Sequence, residues 1–279
     1  MMRKAVLLCL WIAASTACKQ LPYGNNPSAG NYIQTEDAKI YYEVYGEGDP
    51  LLLIHGSLYG YIDEFSDILP DLAERFRVIA VALRGHGRSE IGSRDYSFGL
   101  FADDIMRILD REQIDTVSII GFSAGAITAL KIAAEYPLRV KKVVSIAGAL
   151  DTVDYRPGIA REQRETTGAD FVVQARAFVD YRKQIMPEPE RYTEFYEKLK
   201  TAHLAPVWIT EDEASGITAS VLVIGGDRDD YFKVDAFVRM YRLIPDARLL
   251  IVPESGHVAV LLNREVYLSY AIPFLESKF

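Results

Sequence analysis

Apolar positions change their period several times along this chain, and those changes mark out its elements. Residues 32–45 predict two short strands around a turn at Glu36-Asp37. Residues 51–54 are continuously apolar, as in a strand buried on both faces. The segment 63–76 switches to helical spacing, with Phe65, Ile68, Leu69 and Leu72 on one side, and 77–83 returns to a buried strand. A helix over 98–109, a β-branched strand over 116–120, a helix over 124–136 ended by Pro137, and a strand over 140–147 follow. Much later come a strand at 219–224, a helix near 235–243, a strand at 248–252 and a final helix to the C-terminus.

Buried strands alternating with helices predict an α/β fold with a mostly parallel central sheet covered on both faces. The interval 151–213 breaks that rhythm. It holds helical stretches around 170–185 and 189–203 and no obvious buried strand, which predicts a helical insertion over one edge of the sheet. No internal repeat or long low-complexity run interrupts the pattern.

With 279 residues, 49% of them apolar and 25% charged, the chain is long enough for one sizeable core without disulfides or metals. A net charge of −8 argues against nucleic acid as a partner, which would need a basic face. The oligomeric state leaves no trace in the sequence.

The first residues change the picture. Arg3 and Lys4 precede ten apolar residues (5–14), which as a helix rise about 15 Å, half a bilayer core. Small residues at 15–17 then lead to Cys18, so residues 1–17 read as a signal peptide. Pro, Gly, Asn and Ser over 18–31 read as a tether, leaving 32–279 as the folded domain. Cys9 and Cys18 are the only cysteines, and Cys9 would leave with the signal, so no internal disulfide is expected. The segment resembles a bacterial lipoprotein signal. That resemblance implies lipidation of Cys18, export to the cell envelope and attachment to a membrane; Ser15 departs from the large aliphatic residue usual there.

The strongest chemical signal is Gly121-Phe122-Ser123-Ala124-Gly125, placed after a strand and before a helix. A serine on such a sharp turn needs small neighbours, and the strand, turn and helix context is that of a nucleophile elbow. An oxyanion hole requires two amides aimed at one point. Ala124 supplies one, and the loop after His55-Gly56 supplies the other from Ser57, with Leu58 as the alternative. His55 reads as a structural histidine pinning that loop, and His203 as a residue of the insertion's surface.

His257, after the last strand, is the base expected for Ser123. The acid is sought in the run Asp227-Arg228-Asp229-Asp230 after the strand at 219–224. Asp229 is preferred, Asp227 and Asp230 read as turn residues that spacing alone does not exclude, and Asp151 is a further alternative. No metal-ligand cluster and no dinucleotide-binding glycine loop is visible, so neither a metal nor a cofactor is expected.

Together these pieces resemble the α/β-hydrolase superfamily over about residues 32–279, in the chain order Ser123, Asp229, His257. The loop Arg84-Gly85-His86-Gly87-Arg88-Ser89 is similar to the family's loop after its fourth strand, although Ala82 stands where an aspartate is common; His86 is read as structural. The resemblance implies an α/β-hydrolase fold in which 151–213 is a cap. It also implies Ser123 as nucleophile, His257 as base and then acid, and Asp229 as its orienter. The expected partner is a small acyl substrate, cleaved as an ester or related acyl bond through an acyl-enzyme. Lactonases, carbon–carbon bond hydrolases and cofactor-free perhydrolases stay open, whereas relatives with an aspartate nucleophile are disfavoured by Ser123. The competing class is a binding protein on the same scaffold without turnover.

Overall fold

The computed structural model describes residues 23–277; the expected signal peptide (1–17) and Cys18 lie outside the described residues. Eight strands form one sheet: β1 (Gly30–Gln34), β2 (Lys39–Tyr45), β3 (Asp49–Ile54), β4 (Phe76–Val81), β5 (Val117–Phe122), β6 (Val140–Ile146), β7 (Ser220–Gly226) and β8 (Ala247–Val252). Their order is β1-β2-β4-β3-β5-β6-β7-β8. β2 runs against both its neighbours, and every pairing from β4 to β8 is parallel.

The central strands carry runs of consecutive apolar residues because successive side chains enter different cores. Leu52, Ile54, Ile79, Ile119, Val143 and Val223 belong to one core. Leu51, Leu53, Val78, Ile120, Val144 and Leu222 belong to the other.

Helices cover both faces. The single helix expected over 63–76 is instead a short 3-10 turn, Ile62–Phe65, followed by α1 (Leu69–Ala73) with Pro70 in its first turn. Proline has no N–H to continue a preceding turn but suits a helix start, so the helix begins again around it. α2 (Phe98–Arg111) starts where the Ser97 hydroxyl accepts the Leu100 N–H at 3.0 Å. α3 (Ala124–Glu135) follows β5 directly.

Between β6 and β7 lie α4 (Ile159–Glu165), α5 (Gly168–Gln174), α6 (Arg176–Lys183), α7 (Tyr192–Leu204) and α8 (Glu211–Ser215). The stretch expected as one helix over 170–185 breaks at Ala175, and α4 had no counterpart in the sequence reading. α6 is latched to the sheet side by Arg182. Its guanidinium donates to both oxygens of Asp63 at 2.8 and 3.0 Å and to the Tyr59 carbonyl at 3.0 Å. α9 (Val234–Leu243) and α10 (His257–Leu262) flank β8.

The segment expected as a tether over 18–31 is held to the domain from Gly24 onward, and β1 already begins at Gly30. The cause is Glu43, fully buried on β2. Its carboxylate accepts from Gly24 N (2.6 Å), Asn26 N (2.8 Å), Tyr41 OH (2.6 Å) and Tyr45 OH (2.7 Å). A buried charge is tolerated when its lone pairs are filled in this way.

Candidate active site

β5 delivers Ser123 onto a turn with φ 52° and ψ −115°, a conformation that costs a side-chain-bearing residue roughly 1–3 kcal/mol. Two backbone bonds hold it there. Ser123 N–H donates to the Ile146 carbonyl of β6 at 2.8 Å, and the Ser123 carbonyl accepts from Ile127 of α3 at 3.0 Å. The flanking glycines have a steric cause. A Cβ on Gly121 would overlap the Gly125 carbonyl, and one on Gly125 would overlap the carbonyls of Ile54 and His55. The five-residue pattern therefore reflects how closely α3, β3 and the turn approach one another.

His257 opens α10 rather than sitting on the preceding loop, and its imidazole joins the other two residues. Nε2 lies 2.9 Å from Ser123 Oγ, and Nδ1 lies 2.8 Å from Asp229 Oδ2. Asp229 is fully buried, and its second oxygen accepts the N–H groups of Tyr231 and Phe232, both at 2.8 Å. The rings of Phe122 and Tyr231 flank the imidazole at 5.1 and 4.7 Å between centroids.

The neighbouring acids have other tasks. Asp227 accepts from Ser255 N at 3.2 Å and Asp230 from His257 N at 3.3 Å, so both tie the histidine's loop to the acid's loop. Asp151 pairs with Arg239 at 2.9 Å and caps its own turn through Val153 N.

The loop after β3 is fixed by its own histidine. His55 is fully buried, its Nε2 accepts from Leu83 N at 3.0 Å, and its Nδ1–H therefore donates to the Gly56 carbonyl at 2.7 Å. Among the described residues, neither the Ser57 nor the Ala124 amide meets a hydrogen-bond acceptor. His86 is buried on the loop after β4, with Nδ1 2.9 Å from the Arg84 carbonyl. His203, expected on the surface of the insertion, instead points inward from α7. Its Nε2 lies 2.8 Å from Ser57 Oγ. Burial holds His55 well below the ordinary imidazole value and lowers His86 and His203 to about 4.

One residue escaped sequence reasoning. Glu64, in the 3-10 turn before α1, accepts the Gly56 N–H at 2.8 Å and so braces the same loop. Loss of water pushes its carboxyl up to about 8. A raised folded-state value means that the fold favours the protonated form. The stability contributed by this group is full below about pH 4.5 and falls as pH rises to about 8. Glu64→Gln keeps an acceptor for Gly56 and removes the ionisation. Its melting temperature should exceed that of the unmodified protein at about pH 9, by a margin that shrinks toward about pH 5. A margin independent of pH in thermal unfolding would contradict this.

The sequence model of the alpha/beta hydrolase fold matches residues 49–263. The chain belongs to the α/β-hydrolase family. Among its relatives, 2-hydroxy-6-oxo-6-phenylhexa-2,4-dienoate hydrolase of Comamonas testosteroni is 26% identical over 266 residues, covering 87% of this chain and 93% of that protein. Pimeloyl-[acyl-carrier protein] methyl ester esterase of Nitrosomonas europaea is 26% identical over 259 residues, covering 83% and 98%. A hydrolase of Pseudomonas aeruginosa PA01 superposes with a TM-score of 0.74 at 21% identity, covering 90% and 100%. The α/β-hydrolase fold thus extends over nearly all of the described chain, and the matched region contains Ser57, Ser123, Asp229 and His257.

Proposed function

We propose that this α/β-hydrolase cleaves a carboxylic ester or related acyl bond through an acyl-enzyme on Ser123. The observation behind this reading is the unbroken row Asp229–His257–Ser123, with 2.8 and 2.9 Å between the facing atoms. Asp229 holds the Nδ1–H tautomer, which leaves Nε2 with a lone pair for the Ser123 proton. As that proton moves, Oγ bonds to the substrate carbonyl carbon, and the amides of Ser57 and Ala124 receive the oxyanion. Collapse breaks the bond to the leaving alkoxide, which takes the proton from His257. Water then adds to the acyl group, gives its proton to His257 and releases the acid as Ser123 is reprotonated.

A panel of 4-nitrophenyl esters, thioesters and lactones of graded acyl length tests this reading. Turnover of at least one member is expected. The relative from Comamonas testosteroni is named for the hydrolysis of 2-hydroxy-6-oxo-6-phenylhexa-2,4-dienoate, a compound with no ester or amide bond, so carbon–carbon bond hydrolysis is the second reading. Turnover of 2-hydroxy-6-oxo-6-phenylhexa-2,4-dienoate with the ester panel untouched would favour it. We propose further that the protein is exported and anchored through a lipid on Cys18, supported by the basic, apolar and small-residue order of residues 3–18. The mass of the mature N-terminal peptide tests this, and an unlipidated Cys18 would rule it out.

A further inference from the structure

The proposed acyl transfer leaves His203 without a task, yet its surroundings are specific. Its Nε2 meets Ser57 Oγ at 2.8 Å and its Nδ1 meets Tyr155 OH at 3.3 Å. Phe98 packs edge-on against the ring at 5.5 Å between centroids, with Trp208 at 6.2 Å. Tyr155 in turn stacks on Phe232 at 5.2 Å, and the two residues also form a backbone bridge. Phe232 N–H is one of the two amides that hold Asp229. A chain of contacts thus runs from the acid's loop through Tyr155 and His203 to Ser57, crossing from one wall of the site to the other by way of α7.

We propose that His203 is a positioning residue: it seats Ser57 so that the Ser57 amide faces the reacting carbonyl, and the oxyanion hole is complete only when α7 is in place. This rests on the role given to Ser57 in the acyl-transfer reading. The backbone of the loop has its own partners: His55 Nδ1–H donates to the Gly56 carbonyl, Glu64 accepts the Gly56 N–H, and the Ser57 carbonyl accepts from Gly60 N–H. His203 adds the hold on the Ser57 side chain, the remaining part of the residue whose amide is used. An oxyanion donor acts only over a narrow range of position. Losing one costs about 100- to 1,000-fold in rate, and a 1 Å displacement costs about 100-fold. The ring stays neutral at ordinary pH, so it acts as one donor and one acceptor between two hydroxyls and not as a charge.

Two near-isosteric substitutions separate positioning from mere packing. A glutamine amide nitrogen reaches the place of Nε2, whereas an asparagine amide nitrogen reaches only that of Nδ1. The readout is inactivation of the full chain by a fluorophosphonate, whose phosphoryl oxygen occupies the oxyanion hole, resolved into the maximal rate and the half-saturating concentration. His203→Asn should lower the maximal rate about 10- to 100-fold with half-saturation little changed, and His203→Gln should keep most of the rate. In a Ser57→Ala background, His203→Asn should add no further loss. Equal rates for the Asn and Gln variants, or multiplicative losses in the double variant, overturn the positioning role while leaving Ser123 as nucleophile. Folded protein that the probe does not label at all overturns the acyl-transfer reading and this inference with it.

Discussion

Replacing Ser123 by alanine is expected to abolish fluorophosphonate labelling and to lower ester turnover by about 10,000-fold to 1,000,000-fold. Ser123 Oγ is the hydroxyl on His257 Nε2, so its removal leaves the base with no proton to take and the carbonyl with no attacking oxygen. Residual rate above that of water would come from the two amides and substrate positioning alone. The fold should survive. The hydroxyl caps no helix N–H, and the backbone bonds that hold φ at 52° are made by N–H and C=O, which alanine retains. A near-unchanged melting temperature alongside lost labelling would assign the effect to chemistry. Labelling that persists in the alanine variant would move the nucleophile elsewhere. A folded, unlabelled wild type would favour a binding protein built on this scaffold.

What was legible in the sequence is what is local. Strand and helix periods register burial within a few residues, so the central sheet and the strand, tight turn and helix around Ser123 are readable directly. The breaks were harder. Pro70 interrupts an otherwise helical apolar spacing, and a strong period hid that punctuation. Within 151–213, Thr167 and Asp170, and again Thr210 and Glu213, form capping boxes that start α5 and α8. Both have the T-x-x-D/E spacing of a helix start, a local signal carried by the sequence itself. The choice among Asp227, Asp229 and Asp230 was beyond spacing, because residues so close together can turn to different partners. Asp227 takes Ser255 N, Asp230 takes His257 N, and Asp229 faces the ring. Most hidden were Glu64 and His203. His203 meets Ser57 across 146 positions of chain, where no periodicity could carry the signal.

Asp229→Asn provides the sharpest test of the proposed proton path, because the surroundings allow the new amide only one orientation. Tyr231 and Phe232 direct two N–H groups at Oδ1, each at 2.8 Å. The asparagine carbonyl must take those donors, since the reverse orientation would set its NH2 against two N–H groups in a buried site. The NH2 therefore faces His257 Nδ1, which can accept it only as a bare nitrogen. The ring proton is driven to Nε2, and the imidazole presents N–H to Ser123 where a lone pair is needed. Turnover should fall about 10,000-fold with KM little changed, while the fold stays intact because each buried donor keeps an acceptor. Asp229→Ala should behave differently. It leaves two buried amides and the ring N–H without acceptors, each costing about 1–3 kcal/mol, so stability falls along with the rate. Asp227→Asn and Asp230→Asn each keep a carbonyl for the single N–H they hold and should retain most of the activity. Turnover in Asp229→Asn within about tenfold of the wild type, or an equal loss in the neighbouring variants, would show that the ring's tautomer does not govern the reaction.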